Sequence, residues 1–249
     1  MGPMIQSARS GKQNILEGSK VAQTSKLGLA YKWGRVYLLL NMSSIHLPER
    51  CGVLLLGDCT LFPHGGLPLF IFEPRYRKML EEALEGDCFF AVGRLIGQET
   101  GDPASFVAPV GTIGLVRASR EKNDGTSQLL LHGVMRVKFT AWHDGQSYPY
   151  ASIEPVISVF EPENQAAAAM KTLRGAVEDA IRGLPQEVQQ GVLSLLDRAD
   201  EPGLMTDVIS QQFIHEADLR QRLLETTSVG KRISILCDYL AKATLAADD

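Results

Sequence analysis

Alternation of apolar and polar positions is the strongest structural signal in the first half of the chain. From residue 129 to 139 every second residue is apolar or glycine, and Arg136 lies on the opposite, more polar side. A period of two over this length predicts a strand with one buried face. Gly133 in its middle predicts a bulge or a tight bend of the kind that closed barrels use.

The segment before this strand predicts a hairpin. Residues 110–120 are expected to form a strand, and Asn123-Asp124-Gly125 is expected to be the turn that joins the two. Because Asp-Gly tolerates positive φ angles, we predict a type I′ turn.

Shorter apolar runs predict four more strands and one helix. These runs cover residues 53–57, 67–72, 88–96 and 148–159. Pro155 predicts that the last of them is an edge strand, because proline cannot donate to a sheet ladder. Glu73-Pro74 is expected to open a helix, since proline is favoured at the first helical position and a carboxylate faces the positive end of the helix dipole. Gly86 is expected to end it.

Helical spacing replaces alternation after residue 161. Apolar residues recur at intervals of three and four over 170–184, 188–199, 204–213 and 219–224. A last helix is expected to begin at the N-cap Ser228. Helices joined by short loops predict a bundle. The predicted organisation is a β-rich module over 46–160 and a helical module over 161–249.

Composition narrows the class of protein. The chain has 249 residues, of which 45% are hydrophobic and 22% charged, as in ordinary globular domains. No run approaches the ~20 apolar residues that a membrane helix needs. The four cysteines form no C-x-x-C pair, which argues against a zinc ribbon and favours a reducing compartment. We therefore expect a cytoplasmic protein that is not embedded in a membrane.

Charge divides the chain unevenly. Residues 1–41 hold six basic residues and one acidic residue, whereas residues 42–249 hold 19 basic and 28 acidic residues. Three interpretations of residues 1–41 remain open: a targeting segment, a basic arm for RNA or an acidic partner, or a mis-assigned start that should be Met42. We predict that residues 1–45 are a disordered or mis-assigned extension.

Motifs for catalysis or metal binding do not emerge from the sequence. There is no G-x-x-x-x-G-K-[ST] and no G-x-S-x-G pattern. His215-Glu216 begins like a zinc-binding H-E-x-x-H motif, but Leu219 occupies the position of the second histidine. We predict no catalytic residue, no metal and no cofactor.

Three segments together resemble a known family. They are 53–63 (VLLLGDCTLFP), 67–77 (LPLFIFEPRYR) and 131–136 (LHGVMR), and residues 204–232 add a similar helical region. They resemble the N-terminal substrate-binding domain of Lon, the ATP-dependent protease. The resemblance implies the α+β class, with a PUA-like β pseudo-barrel followed by a helical bundle. The ATPase and protease domains of Lon have no counterpart in the chain, so we expect a stand-alone Lon-domain protein that is not an enzyme.

The family motif and the aromatic residues near it supply the candidate binding site for polypeptides: Phe62, Phe70, Phe72, Glu73, Arg75, Tyr76, Phe89 and Phe90. Alternation places Phe70 and Phe72 on one face of their strand, and Phe89 and Phe90 on opposite faces of theirs. Any exposed member would form an apolar patch suited to extended or unfolded chains. The alternative is that the aromatic residues are core and that Glu73 to Tyr76 only fix the corner between strand and helix.

Three functions compete at this point. The first is a non-enzymatic module that binds unfolded or client polypeptides in protein quality control and passes them to a separate protease or chaperone. The second is RNA binding, since PUA-like folds include RNA binders and the N-terminal region is basic. The third is a hydrolase with an unrecognised site.

Overall fold

The structure is a computed structural model that describes residues 46–247. The three interpretations of residues 1–41 and the predicted extension over 1–45 lie outside the described residues. Within 46–247 no helix is long and apolar enough to cross a membrane. The part of the chain from Pro48 onward forms one compact unit.

Six strands and six helices build this unit. In chain order they are β1 (Arg50–Leu56), β2 (Gly66–Ile71), α1 (Pro74–Glu85), β3 (Phe89–Arg94), β4 (Val110–Glu121), β5 (Ser127–Trp142), β6 (Tyr150–Pro155), α2 (Glu163–Ala180), α3 (Gln186–Asp197), α4 (Pro202–Phe213), α5 (Ala217–Glu225) and α6 (Val229–Ala247). Only a short 3₁₀ turn at Pro103–Ser105 interrupts the loop between β3 and β4.

The sheet closes on itself. Its strand order is β2-β5-β4-β3-β1-β6, and β6 also pairs with β5, so five strands form a ring. The β1–β3 pair is parallel and the other pairs are antiparallel. Among the described strands, β2 stands outside the ring and pairs with β5 alone. A closed β module followed by helices confirms the α+β prediction.

Gly133 is where β5 bends, as predicted. The register of β4 against β5 shifts between Ile113 and Gly114, which leaves one extra residue on β5 next to Gly133. A Cβ atom at Gly133 would lie 2.1 Å from the carbonyl oxygen of Phe62. Only glycine allows the loop after β1 to cross the strand at this distance.

Two details of the predicted sheet are wrong. The turn between β4 and β5 is not type I′: Gly125 has a φ of 75° but Asp124 does not adopt a positive φ, and the Gly125 N–H donates to the Lys122 carbonyl. This geometry is a type I turn followed by a left-handed glycine. Strand β6 is not an edge, because it pairs with both β1 and β5. Pro155 is tolerated as its last residue, beyond the stretch that β1 reaches.

Two apolar clusters form the core. One packs α1 against the strands through Tyr76, Met79 and Leu80. The other lies among the C-terminal helices, where Ile233, Leu236 and Leu240 are buried as the helical spacing predicts. The Ser228 hydroxyl accepts a hydrogen bond from the Lys231 N–H and caps α6 as predicted.

Candidate functional site

Strand β2 presents alternate side chains to solvent. Leu67, Leu69 and Ile71 turn toward the protein, whereas Pro68 and Phe70 are exposed. This is the period-two pattern of a strand with one solvated face. Apolar residues nevertheless occupy the solvated positions, and this distinguishes β2 from an ordinary surface strand.

An exposed aromatic surface results. The Phe70 and Phe72 rings are 49% and 59% exposed and stack with their centroids 6.0 Å apart. Leu130, which lies opposite Pro68 on β5, is 44% exposed. We call Pro68, Phe70, Phe72 and Leu130 the aromatic surface. The stacked rings confirm that Phe70 and Phe72 share a face.

Cations border the aromatic surface on the side of the β4–β5 hairpin. The Lys122 ammonium nitrogen lies 4.8 Å from the centre of the Phe70 ring, a cation–π contact. Arg120 lies opposite Gln128, which in turn lies opposite Phe70, so the three share one row of the sheet. Within residues 46–247 neither Lys122 nor Arg120 forms an ion pair.

An ion-pair network fixes the corner between β2 and α1. The Arg75 guanidinium bonds to the Glu73 carboxylate at 2.9 Å and to the Glu99 carboxylate at 2.9 Å. The hydrogen bond from Arg75 lowers the pKa of Glu99. Arg75 also lies over the Tyr76 ring, 4.5 Å from its centre. Glu99, from the loop after β3, thus ties this loop to the corner between β2 and α1.

Three of the candidate binding residues lie in the core. Phe62, Tyr76 and Phe90 are buried. Phe62 inserts among the helices, Phe90 packs in the cluster that contains α1, and the Tyr76 hydroxyl accepts a hydrogen bond from the Leu55 N–H. A polypeptide cannot reach these side chains in this conformation, so they are removed from the candidate site.

The remaining candidates differ in exposure. Phe89 is half-buried, on the face of β3 opposite to Phe90, as alternation predicts. Glu73 and Arg75 are partly exposed but engage each other. Phe70 and Phe72 are therefore the members of the predicted set that a ligand can contact most fully.

Comparison with known proteins gives the family. The family model described as the ATP-dependent protease La (LON) substrate-binding domain matches residues 51–242. The chain belongs to the Lon substrate-binding domain family. This confirms the resemblance carried by the motifs at 53–63, 67–77 and 131–136.

Lon proteases are the relatives found in sequence. The Lon protease of Xanthomonas oryzae is 32% identical over 191 residues, which is 74% of this chain and 22% of that protein. The Lon protease of Escherichia coli is 25% identical over 185 residues, which is 74% of this chain and 24% of that protein. The chain thus corresponds to about a quarter of the length of the Lon proteases that it matches.

Two solved Lon domains share the fold. The N-terminal domain of a Mycobacterium avium complex Lon protease superposes with a TM-score of 0.62 at 15% identity, covering 78% of this chain and 98% of that one. A Lon N-terminal domain protein from Xanthomonas campestris gives a TM-score of 0.53 at 17% identity, covering 76% and 98%. At these identities the likeness shows the fold.

A buried charge cluster joins the two parts of this Lon domain, and the sequence alone did not reveal it. The Asp207 carboxylate on α4 accepts hydrogen bonds from Arg136 on β5 at 2.5 and 2.9 Å, and one from Arg232 on α6 at 2.6 Å. All three side chains are buried. Burial lowers the pKa of Arg232 to about 10. Two cations around one anion, out of water, connect the ring to the bundle.

Arg136 is the last residue of the Leu131-to-Arg136 motif, and this motif was the one sequence feature that pointed to the charge cluster. Alternation placed it on the polar face of β5, but the extra residue at the bulge turns it to the face of Leu131 and Gly133, where it meets α4 and α6. Its Nε also donates to the Leu224 carbonyl at the end of α5. The motif is thus explained by docking of the helices rather than by contact with a ligand.

The histidine, cysteine and acidic residues within 46–247 indicate no metal site and no reactive thiol. No group of three His, Cys, Asp or Glu residues within 46–247 is placed to hold a metal ion. Cys51, Cys59, Cys88 and Cys237 are free thiols. Burial raises the pKa of Cys51 to about 12, which makes this thiol a poor nucleophile.

Proposed function

We propose that this chain is a recognition module for unfolded or client polypeptides in protein quality control, that it catalyses no reaction itself, and that it passes its ligands to a separate protease or chaperone. The observation that carries the proposal is the aromatic surface. Phe70 on the edge strand β2 and Phe72 directly after it are stacked, and about half or more of each ring is exposed.

Exposed aromatic rings have a physical use in such a role. Full burial of a phenylalanine side chain contributes roughly 1.5–3 kcal/mol. Phe70 and Phe72 keep about half of that area accessible in the described structure. Burying the rest against a ligand would therefore contribute on the order of 1 kcal/mol per ring, enough for weak and reversible binding of exposed apolar segments but not for a permanent complex.

Family membership also supports a role in recognising polypeptides. The matching family model is that of a substrate-binding domain. The substrates of Lon proteases are not thereby the substrates of this chain, which spans about a quarter of their length. Transfer of the role is part of the proposal. The RNA and hydrolase alternatives gain no supporting observation from the described residues.

Fluorescence anisotropy with the full chain tests the proposal. We would titrate it into a labelled, reduced and alkylated polypeptide that cannot fold, and separately into a labelled single-stranded RNA, each at low and moderate salt. We expect saturable binding to the polypeptide that tolerates salt, and no RNA binding. RNA binding that falls steeply with salt, without polypeptide binding, would contradict the proposal.

A matched pair of variants localises the binding. Phe70→Ser removes a ring that is 49% exposed on the aromatic surface, and Val188→Ser removes an apolar side chain that is 46% exposed on α3. We expect Phe70→Ser to weaken polypeptide binding about fivefold to tenfold, and Val188→Ser to leave it unchanged. Equal effects of the two substitutions would mean that the aromatic surface is not the site.

A further inference from the structure

The backbone of β2 is open along one side. The Gly133 N–H on β5 donates to the Gly65 carbonyl at 2.8 Å. Bonded residues recur at every second position of an antiparallel ladder, so Leu67, Leu69 and Ile71 bond to β5. Gly66, Pro68 and Phe70 consequently direct their backbone polar groups away from β5, to the side where β2 has no partner among the described strands.

This edge has a defined pattern of donors and acceptors. Gly66 and Phe70 each offer an N–H and a carbonyl, and Pro68 offers a carbonyl only. No other residue within 46–247 is hydrogen-bonded to these groups across the open side. Pro68 removes one donor, which weakens pairing with an arbitrary strand, but it leaves two donors about 14 Å apart at about 3.4 Å per residue.

We infer that an extended, acidic polypeptide segment binds to this edge as an added strand of the sheet. The inference rests on the proposed function and specifies how the polypeptide is held. Strand addition takes affinity from main-chain hydrogen bonds and selectivity from alternate side chains. A segment of about five residues spans the distance from Gly66 to Phe70.

The side chains around the edge indicate the chemistry of that segment. A strand paired with β2 places alternate side chains on the face that carries Pro68 and Phe70, so apolar residues are favoured there. Arg120 and Lys122 lie on the same face at the Phe70 end. Glu121 belongs to the row of Ile71 on the other face. Lys122 therefore places a positive charge beside Phe70, which favours a carboxylate on the added strand at this end, although Arg120 lies two strands from the edge and Asp124 of the hairpin turn interacts with Lys122.

Pro68 argues against a second copy of this chain as the occupant, because it interrupts the donors of the open edge. Pro68 of each copy would meet the other edge, and the shared ladder would lose donors on both sides.

N-methylated peptides test the inference, because a methyl group on an amide blocks strand pairing from one side only. The probe is a fluorescein-labelled nine-residue peptide with glutamates at both ends and valine or phenylalanine at alternate internal positions. Two derivatives carry methyl groups on alternate sets of amide nitrogens. We expect one set to weaken binding to the full chain at least tenfold and the other less than twofold. A version with lysines in place of the glutamates should bind at least fivefold more weakly.

Variants of Gly66 provide the reciprocal test on the protein. Gly66→Pro removes an outward N–H, whereas Gly66→Ala keeps it and adds a Cβ that meets Leu130 at an ordinary 3.5 Å. We expect Gly66→Pro to weaken binding of the unmethylated peptide about fivefold and Gly66→Ala to leave it within twofold. Thermal unfolding of both variants checks that the fold is retained. The test with methylated peptides uses the unsubstituted protein, so its result does not depend on the stability of these variants.

The outcomes separate this inference from the proposed function. Equal affinity for all methylated forms, together with loss of binding in Phe70→Ser, would overturn strand addition and leave recognition by side chains. No binding of the unmethylated peptide or of the unfolded polypeptide would overturn both. A dimer in light scattering that Gly66→Pro dissociates, with no effect on the peptide, would assign the edge to a second copy and overturn the inference.

Discussion

Replacing Asp207 by asparagine removes the only anion of the buried charge cluster while keeping the size of the side chain. The carboxylate accepts two hydrogen bonds from Arg136 and one from Arg232, and all three residues are buried. Asparagine offers one acceptor oxygen, and its NH₂ group would face a guanidinium. Two buried cations would then remain with no neutralising partner in the cluster.

The expected cost follows from these contacts. A hydrogen bond to a charged group contributes roughly 1.5–3 kcal/mol, and breaking a buried ion pair by removing one partner costs about 3–5 kcal/mol. We therefore expect Asp207→Asn to lower the free energy of unfolding by about 3 kcal/mol or more. Since a domain has about 5–15 kcal/mol in total, the variant should still fold, with a sharply lower midpoint.

Urea unfolding followed by far-ultraviolet circular dichroism measures this difference. With a slope of about 1–3 kcal/mol per molar urea, the midpoint should fall by 1 M or more. Asp218→Asn is the matched control: Asp218 also pairs with an arginine, Arg94 at 2.7 Å, but its side chain is 97% exposed. We expect this control to stay within about 1 kcal/mol of the wild type. A cost for Asp207→Asn no greater than that of the control would refute the reasoning.

Two further predictions concern the backbone and the pH response. Gly133→Ala should destabilise the protein by more than about 2 kcal/mol in the same urea assay, because its Cβ would lie 2.1 Å from the carbonyl oxygen of Phe62. Gly57→Ala is the control and should be nearly neutral, since a Cβ there meets nothing within 4 Å. Equal midpoints for the two variants would contradict this prediction. Burial lowers the pKa of His64 below its ordinary 6.5, so the unfolded chain binds more protons than the folded one and the free energy of unfolding should fall as the pH drops below about 6.5. Asparagine suits the φ of 65° at this position, so His64→Asn should reduce this acid sensitivity without straining the backbone. Melting temperatures measured from pH 7.5 to 5 test this, and an unchanged profile would exclude His64 as the source of the acid sensitivity.

Alternation located the faces of the strands but could not say what covers them. Leu129, Leu131 and Val137 are buried, but the extra residue at the bulge turns Val137 to the face opposite to Leu131. Arg136 is thereby turned to the face of Leu131 and is buried as well, because helices from the C-terminal half pack there. A period of two distinguishes two faces, and only the tertiary arrangement decides whether the second one meets water or another element.

The candidate site illustrates the same limit. Sequence placed Phe70 and Phe72 together, which the stacked rings confirm, but it could not tell that their face is the exposed one. Phe62 was an equally good candidate, yet it inserts among the helices between Arg136 and Arg220. Residues in a loop carry no periodicity, so nothing local predicts where such a ring points.

The motif residues around Pro74 were the most predictable part of the site. Proline at the first helical position and Gly86 at the end fix α1 as expected. The partner of Arg75 was harder to predict from the sequence, since Glu99 belongs to a loop 24 residues away. Pairing over that distance depends on the path of the loop between β3 and β4, which no local pattern encodes.

Hydrogen–deuterium exchange of the full chain, with and without the unfolded polypeptide, tests the central claim most directly. The outward amides of Gly66 and Phe70 should exchange fast in the free protein, because no described neighbour bonds to them. Saturating polypeptide should slow exchange in peptides that cover residues 66–72, with smaller changes in the hairpin over 117–130. Two results would contradict the assignment of the aromatic surface as the polypeptide site. One is protection confined to another part of the chain, such as the open groove between α5 and α6 that Leu219 and Tyr239 line. The other is binding without any protection.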